Sequence, residues 1–201
     1  MAVRSPGFGR SGAALRGRAR DKLLDTALRL FVERGYVGVR VEDIAKAAGI
    51  SRATFYKHFS EREEILAELF ARLLGREPAS PPSGSAAETL PRIRSLLIDT
   101  ATQMVANEEL ARFVYTLPIR HAALVGEGAR PPVLEAVERM VGEGVAAGAV
   151  RADVPPELIT AHIGRAFEAA IRDWAEDRVH DVAAHVGLLV DLAIEGARDP
   201  R

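Results

Sequence analysis

The chain has 201 residues and no cysteine, which excludes disulfide bonds, thiolate metal sites and cysteine nucleophiles. Its composition, 48% hydrophobic and 27% charged, is that of a globular protein able to bury a core. No apolar run approaches the roughly 20 residues that cross a bilayer, and the N-terminus carries no secretion signal. We therefore expect a cytoplasmic protein with no membrane partner.

The net charge of −1 is the sum of two opposite parts. Residues 1–76 contain 15 Lys and Arg against 9 Asp and Glu, a balance of +6; residues 77–201 contain 12 against 19, a balance of −7. A basic front followed by an acidic remainder is expected when only the front meets a polyanion. Drift in surface charge is the alternative explanation of this feature.

Residues 1–17 are rich in Gly, Ser and Arg and contain no acid, which predicts a disordered basic arm. Five arginines in or just beyond this arm are able to follow a phosphate backbone or enter a minor groove: Arg4, Arg10, Arg16, Arg18 and Arg20. A loose tail with no role is the alternative.

Residues 18–74 show a helical pattern that predicts four helices. The first carries apolar residues at spacings of three and four and ends where Gly35 suits a left-handed cap. The second is short, has acids in its first turn and ends at Gly49. Because a tight glycine turn leads from it into the third helix, residues 41–60 are predicted to form a helix-turn-helix.

The third and fourth helices carry capping signals at their starts. Ser51 is placed to accept the amide hydrogen of Thr54. The sequence SERE, which begins at Ser60, is a capping box with Glu63 at its third helical position.

The third helix is predicted to have two different faces. At 100° per residue, Phe55 and Phe59 share an inward face and leave polar side chains around the outer side. Arginine binds guanine bidentately in the major groove and a threonine methyl contacts a thymine methyl, which suits Arg52 and Thr54 to base contacts. Three neighbouring side chains suit phosphate oxygens, which fix position without reading sequence: Tyr56, Lys57 and His58. A purely structural hairpin in another kind of all-α protein is the alternative.

Residues 75–87 are rich in Pro, Ser and Gly and are predicted to be a linker. Beyond it, residues 88–201 are helical again, with five further helices expected at 88–106, 108–117, 131–148, 156–177 and 181–197. The chain is therefore expected to be all-α, with about nine helices.

Other clusters lack the pattern that chemistry requires. The glycines of GEGVAAG, residues 142–148, follow no strand and have the wrong spacing for a dinucleotide loop. The acids around Asp173 have no histidine on the same face to complete a metal set. The serines are not in a nucleophile-elbow motif. We expect no enzyme activity, no cofactor and no metal.

Residues 18–74 resemble the N-terminal domain of the TetR (tetracycline repressor-like) family of bacterial transcriptional regulators. The matching segments are LLDTALRLFVERGY and VEDIAKAAGISRATFYKHFSEREEIL, which cover all four helices without a gap. Further on, GAVRADVPPELITAHIGRAFEAAIRDW resembles the connection into the long eighth helix of many members. The resemblance implies a sequence-specific DNA-binding regulator, a dimeric repressor that a small-molecule effector releases from its operator.

The resemblance also implies residue roles at the DNA interface. The third helix of the family enters the major groove, and the positions after Ser51 contact bases or nearby sugar and phosphate: Arg52, Ala53, Thr54, Tyr56, Lys57 and His58. The start of the fourth helix offers a base to a phosphate, a place that Arg62 fills. The start of the second helix usually carries a threonine or serine that caps it and binds phosphate; Arg40 stands there, able to reach a phosphate but not to supply the same cap.

In the family the last two helices form the dimer interface. A stripe on each of the corresponding helices supports this here: Leu158, His162, Ala166, Ala170 and Trp174, then Val182, Val186, Leu189 and Ala193. Ordinary intrachain core is the alternative, because each helix must also pack within its own subunit. A two-fold dimer presents two reading helices about 34 Å apart, or a multiple of that, which implies a near-palindromic operator.

Helices five to seven are expected to enclose the effector pocket, an apolar cavity with a few polar groups. The residues most able to line it are Met104, Phe113, Tyr115, His121, Met140, Phe167 and Arg172, although each is equally suited to a core. An effector that favours a non-matching spacing of the reading helices would pull the dimer off DNA. Two alternative functions are a small all-α ligand-binding protein or enzyme with an incidental basic N-terminus, and a DNA-bending protein without sequence preference.

Overall fold

A computed structural model of the chain describes residues 9–75, 84–85, 88–117 and 131–197, with side chains described from residue 17 onward. Within these ranges the chain forms nine α-helices and no β-strand, which confirms the all-α prediction. The helices are α1 Gly9–Arg34, α2 Val41–Ala48, α3 Arg52–Phe55, α4 Arg62–Leu74, α5 Thr89–Val105, α6 Glu108–Thr116, α7 Pro132–Ala146, α8 Pro156–Ala175 and α9 Val182–Glu195. None of the described helices is long and apolar enough to span a membrane.

The chain divides into two compact units, Met1–Leu69 and Phe70–Arg201. In the first unit, each helix contributes apolar side chains to one shared core. Leu24, Ile44, Phe55 and Ile65, one from each of α1 to α4, are all 0% exposed. The spacings of three and four along α1 place its apolar side chains on one stripe, which is why they bury together.

Helix α1 begins earlier than the sequence predicted. The disordered arm was expected over residues 1–17, but residues 9–17 are part of the helix. The segment GAALRGRAR contains good helix formers that extend α1 upstream despite its glycines. Residues 1–8, with Arg4, lie outside the described ranges.

In the second unit, α8 and α9 pack against each other, α5 packs on α7 and α9, and α7 and α6 pack on α8. Ile93, Val137, Ile163 and Val186, from α5, α7, α8 and α9, are all 0% exposed and mark the centre of this core.

The glycine-rich segment 142–148 has a packing role. A Cβ at Gly144 would lie 2.7 Å from Cγ2 of Val150 and 2.9 Å from Cγ2 of Thr89, so only glycine allows α7 to approach these side chains. Gly148 ends the helix with a left-handed φ of 72°.

Candidate nucleic-acid interface

Two buried phenylalanines pack the α3 segment onto the core of the first unit. Phe55 is 0% exposed and Phe59, in the turn that follows, is 1% exposed; their ring centroids lie 6.0 Å apart. This confirms the predicted inward face. The outer side carries the residues predicted to contact DNA: Arg52, Ala53, Tyr56 and Lys57 are exposed, and Thr54 and His58 are half-buried.

The start of α3 is capped as predicted. The Oγ of Ser51 accepts the amide hydrogen of Thr54 at 3.1 Å, and the two side-chain oxygens lie 3.0 Å apart. The backbone continues in helical fashion beyond Phe55, because the amide of Phe59 donates to the carbonyl of Phe55 at 3.0 Å. The outer side chains are therefore presented from an ordered turn of backbone.

The turn between α2 and α3 depends on Gly49. Its φ of 73° and ψ of 32° are left-handed, and the amide of Ile50 donates to the carbonyl of Ala45 at 3.0 Å. Glycine adopts this conformation without the steric cost that a Cβ brings. The residue thus fixes the direction in which α3 leaves α2.

Arg40 precedes α2 with an exposed side chain, as a phosphate contact requires. An arginine side chain has no acceptor with which to cap the helix. Instead, Oδ2 of Asp43 accepts the Arg40 amide hydrogen at 2.9 Å, which is the reverse half of a capping box. Asp43 therefore supplies one hydrogen bond at the helix start, where Arg40 cannot supply the usual cap.

Arg52 pairs with a carboxylate on the preceding helix. Its Nη1 lies 3.1 Å from Oε1 of Glu42, in the first turn of α2, and the two side chains are 62% and 49% exposed. The pairing of Arg52 with Glu42 was not predicted from the sequence.

Arg62, predicted to contact a phosphate, makes several contacts within the first unit. Its Nη1 donates to the carbonyls of Tyr36 at 3.0 Å and Val39 at 2.7 Å, and its guanidinium lies 4.1 Å above the Tyr36 ring. Its Nη2 lies 3.2 Å from Oε1 of Glu63, and the Arg62 side chain is only 23% exposed. These contacts give Arg62 a structural role, and its contact with DNA stays a prediction.

Arg20 is also bound inside the first unit. It contacts Glu64 and Glu68 on α4, donates to the carbonyl of His58, and stacks 4.0 Å above the Phe59 ring. Partial burial opposes its charge, but the two carboxylates outweigh it and raise the pKa of Arg20 above its ordinary value. These contacts give Arg20 a structural role, and its place along the phosphate backbone stays a prediction.

The start of α4 differs in one detail from the predicted capping box. Glu64, not Glu63, accepts hydrogen bonds from the amide and hydroxyl of Ser60, at 2.7 and 2.9 Å. Hydrogen bonding by the Ser60 amide is the main cause that lowers the pKa of Glu64 below its ordinary value. Glu63 accepts instead from the hydroxyl of Tyr36 at 3.0 Å.

Most of the first unit matches a known protein family in sequence. Residues 23–69 match the family model of bacterial regulatory proteins of the tetR family. The first unit is thus of the TetR type over this segment. The resemblance identified from the sequence is thus confirmed for the helix-turn-helix unit.

Two curated relatives match over most of the chain's length. The fatty acid metabolism regulator protein of Bacillus subtilis is 23% identical over 185 residues, which cover 87% of this chain and 93% of the relative. The HTH-type transcriptional regulator TcmR of Streptomyces glaucescens is 28% identical over 188 residues, 77% of this chain and 81% of the relative.

Solved structures share the fold. The fatty acid degradation regulator FadR from Bacillus halodurans has a TM-score of 0.67 at 22% identity, and covers 96% of this chain and 98% of its own. SmeT, the repressor of the Stenotrophomonas maltophilia multidrug efflux pump SmeDEF, has a TM-score of 0.69 at 21% identity, with coverage of 90% and 91%.

The predicted dimer interface requires correction. Five of its residues are buried in the core of their own subunit, at 7% exposure or less: Ala170, Trp174, Val182, Val186 and Ala193. Ala166 and Leu189 are half-buried, whereas Leu158 and His162 are exposed. The exposed apolar positions on α8 and α9 are Leu158, Leu188 and Leu192, at 58%, 57% and 66%. The prediction chose the inward stripe because both stripes repeat at helical spacing.

The residues predicted to line the effector pocket do not all border one cavity. Met104 borders a cavity of about 220 Å³ within the second unit, and Tyr115 and Phe167 border a narrower one. Phe113 and Met140 are buried in the core. Arg172 donates from Nη1 to the carbonyl of Tyr115 at 3.0 Å. His121 lies outside the described residues.

Burial raises the pKa of the Tyr115 hydroxyl well above its ordinary value, so this group is a neutral wall of the narrow cavity. Among the described side chains, no three His, Asp or Glu residues form a group that could hold a metal ion.

Proposed function

We propose that the protein is a sequence-specific, homodimeric transcriptional repressor that leaves its operator when a small molecule binds its second unit. The observation that carries this proposal is the two-sided α3 segment, whose phenylalanines are fully buried while Arg52, Tyr56 and Lys57 face solvent. The match of residues 23–69 to the family model of bacterial tetR regulatory proteins supports the same role.

Arg52 and Thr54 are the side chains suited to base edges in the major groove. Four others suit phosphate oxygens on either side and would set the register of the helix: Arg40, Tyr56, Lys57 and His58. The exposed methyl of Ala53 allows close approach and contact with a thymine methyl. The balance of +6 over residues 1–76 attracts this unit to the duplex.

The partner is a second copy of the chain, docked through α8 and α9. Leu158 on α8, and Leu188 and Leu192 one helical turn apart on α9, are large apolar side chains that remain exposed in the single subunit. Covering them in a two-fold interface removes this apolar surface from water. The corrected interface residues are therefore these leucines with His162, rather than the buried stripe.

The effector site is proposed at the cavity of about 220 Å³ in the second unit. Its wall combines apolar and polar side chains, as ligand pockets do: Arg72, Leu73, Leu74, Thr100, Gln103, Met104 and Val133. FadR of Bacillus subtilis was solved in complex with stearoyl-CoA, with a TM-score of 0.67 at 21% identity. Long-chain acyl-CoA is accordingly the ligand class to test first.

The proposal is tested with the full chain and a random pool of duplex DNA at modest ionic strength. The expected result is a near-palindrome whose half-sites are separated by one helical turn or a multiple of it. Sedimentation should report a dimer, and an effector should lower operator affinity by the same factor as the operator lowers effector affinity. A chain that sediments as one subunit, or enriches no sequence, contradicts the proposal.

A further inference from the structure

The carboxylate of Glu42 lies among side chains that the proposed function assigns to DNA. It is 3.1 Å from the Arg52 guanidinium, and it borders a shallow surface groove together with Arg40 and Tyr56. A negative charge in this position is unexpected, because a carboxylate repels the phosphates that these neighbours are placed to meet.

Stability does not account for the pair. Both side chains are about half exposed or more, at 62% and 49%, so water and salt screen their attraction. The pair must also restrict two long side chains to one geometry, which costs rotamer entropy. A role on the DNA-bound surface explains its position better than a role in folding.

We propose that Glu42 is a positioning residue that sets the base specificity of Arg52. This inference rests on the proposed DNA-reading role of α3. An arginine at a DNA surface can bind a phosphate, which carries no sequence information, or a guanine, which does. Glu42 draws the guanidinium toward α2 and makes a phosphate-bound position unfavourable, because phosphate and carboxylate then repel each other.

Arg52 has enough N–H donors to bind Glu42 and a guanine at the same time. A guanidinium has five N–H donors, and guanine takes two of them through O6 and N7. The carboxylate lies at Nη1, so donors on the Nε and Nη2 side remain available for a base. Exclusion of water at the interface would strengthen the pair, since the local dielectric falls.

Glu61 supplies a matched control. It is exposed and borders the same groove as Glu42, but it is not the carboxylate that pairs with Arg52. E42Q and E61Q each remove one negative charge and preserve side-chain shape. A general electrostatic effect on DNA affinity should therefore be similar in the two variants.

The experiment uses the operator enriched by the wild-type chain. First, R52A identifies the base pair at which preference for guanine is lost, by about 5- to 150-fold. Affinities are then measured for that operator, for its three substitutions at that base pair, and for random duplex. The four proteins compared with wild type are E42Q, E61Q, R52A and the double variant E42Q/R52A.

We expect both glutamine variants to bind random duplex more tightly, because each loses a charge that repels phosphate. E42Q alone should lower the preference for guanine at the identified base pair, by about 3- to 10-fold, a part of the discrimination that one bidentate contact gives. The effect of E42Q on this ratio should vanish in the R52A background. Thermal melting of each variant establishes that the binding proteins are folded.

Equal base preference in E42Q and E61Q overturns the inference, and so does an E42Q effect that persists without Arg52. Both outcomes leave the proposed function intact, since the wild type still selects its operator. Failure of the wild type to select any sequence refutes the proposed function itself and is thus distinguishable.

Discussion

Arg20 on α1 and Glu68 on α4 are joined by a hydrogen bond of 2.8 Å between Nε and Oε2. The two residues are 48 positions apart in the chain, and the Arg20 guanidinium lies 4.0 Å above the Phe59 ring. It therefore fastens the first and last helices of the DNA-binding unit across the turn that ends the reading segment.

Replacing Arg20 with alanine should destabilise this unit. Glu68 is only 15% exposed, so its charge is poorly solvated, and the substitution removes its contact with Arg20. Loss of a charge-assisted contact of this kind costs about 1–3 kcal/mol. The measurement is the free energy of unfolding in urea. The matched control is R29A, because Arg29 pairs with Glu33 where both side chains are about half exposed; it should change stability by less than about 0.5 kcal/mol. Equal losses would contradict the structural role.

Replacing Arg62 with lysine tests its contacts within the first unit. A lysine keeps the charge, but it cannot donate to two carbonyls while stacking flat on Tyr36. We expect R62K to lower the free energy of unfolding by about 1–2 kcal/mol; an R62K protein as stable as wild type would contradict the structural role. R62A, which also removes the charge, tests the phosphate contact: a salt slope of DNA binding smaller by about 0.9 for folded protein would show that contact.

Replacing Glu64 with glutamine should lower stability in a way that depends on pH. The Ser60 amide, above all, lowers the pKa of Glu64 in the folded protein. Such a carboxylate stabilises the fold above its ordinary pKa, about 4.3, and this contribution disappears as the pH falls through the folded value. Solvent screens the partly exposed group, so the difference at pH 7 should stay below about 1 kcal/mol. Urea unfolding at pH 7 and pH 3 measures the stability difference between wild type and the glutamine variant. A difference that is larger at pH 3 than at pH 7 would contradict this prediction.

Replacing Gly49 with alanine should strain the turn that directs α3. A Cβ at this position meets nothing within 4 Å, so the cost is conformational rather than steric contact with neighbours. A left-handed residue with a Cβ costs about 1–2 kcal/mol. G49N is the control, since asparagine tolerates this conformation better. Thermal unfolding should rank wild type, G49N and G49A in that order; equal stability of the two variants would contradict a conformational cause.

The sequence predicted best what depends on near neighbours. Ser51 and Thr54 are three residues apart, so the cap follows from local chemistry, and the burial of Phe55 and Phe59 follows from helical spacing. The partners of Arg62 are 23 and 26 residues away, and an arginine on an outer face looks the same whether it meets DNA or a distant carbonyl. Residue type alone therefore does not predict the contacts that Arg62 makes with distant carbonyls.

The dimer face shows a second limit. Helix α9 has apolar residues on more than one stripe, and period alone does not say which stripe is turned inward. Val186 is fully buried by its own subunit, whereas Leu188, two residues further along the chain, is 57% exposed. Only the packing of α5 and α8 against α9 decides between them.

The exposed leucines of α9 should be needed for dimer assembly. Substituting Leu188 and Leu192 with glutamate places two charges on a surface that we expect to be covered by the partner, where desolvation of unpaired charge is costly. The double variant should sediment as a monomer. It should also lose most of its operator affinity, because a monomer contacts one half-site only. V32E is the control: Val32 is 47% exposed on α1, away from this stripe in sequence and helix, and its substitution should leave the dimer intact. If the leucine variant remained dimeric while V32E did not, the interface would have to lie elsewhere, and the corrected assignment would fail along with the predicted one.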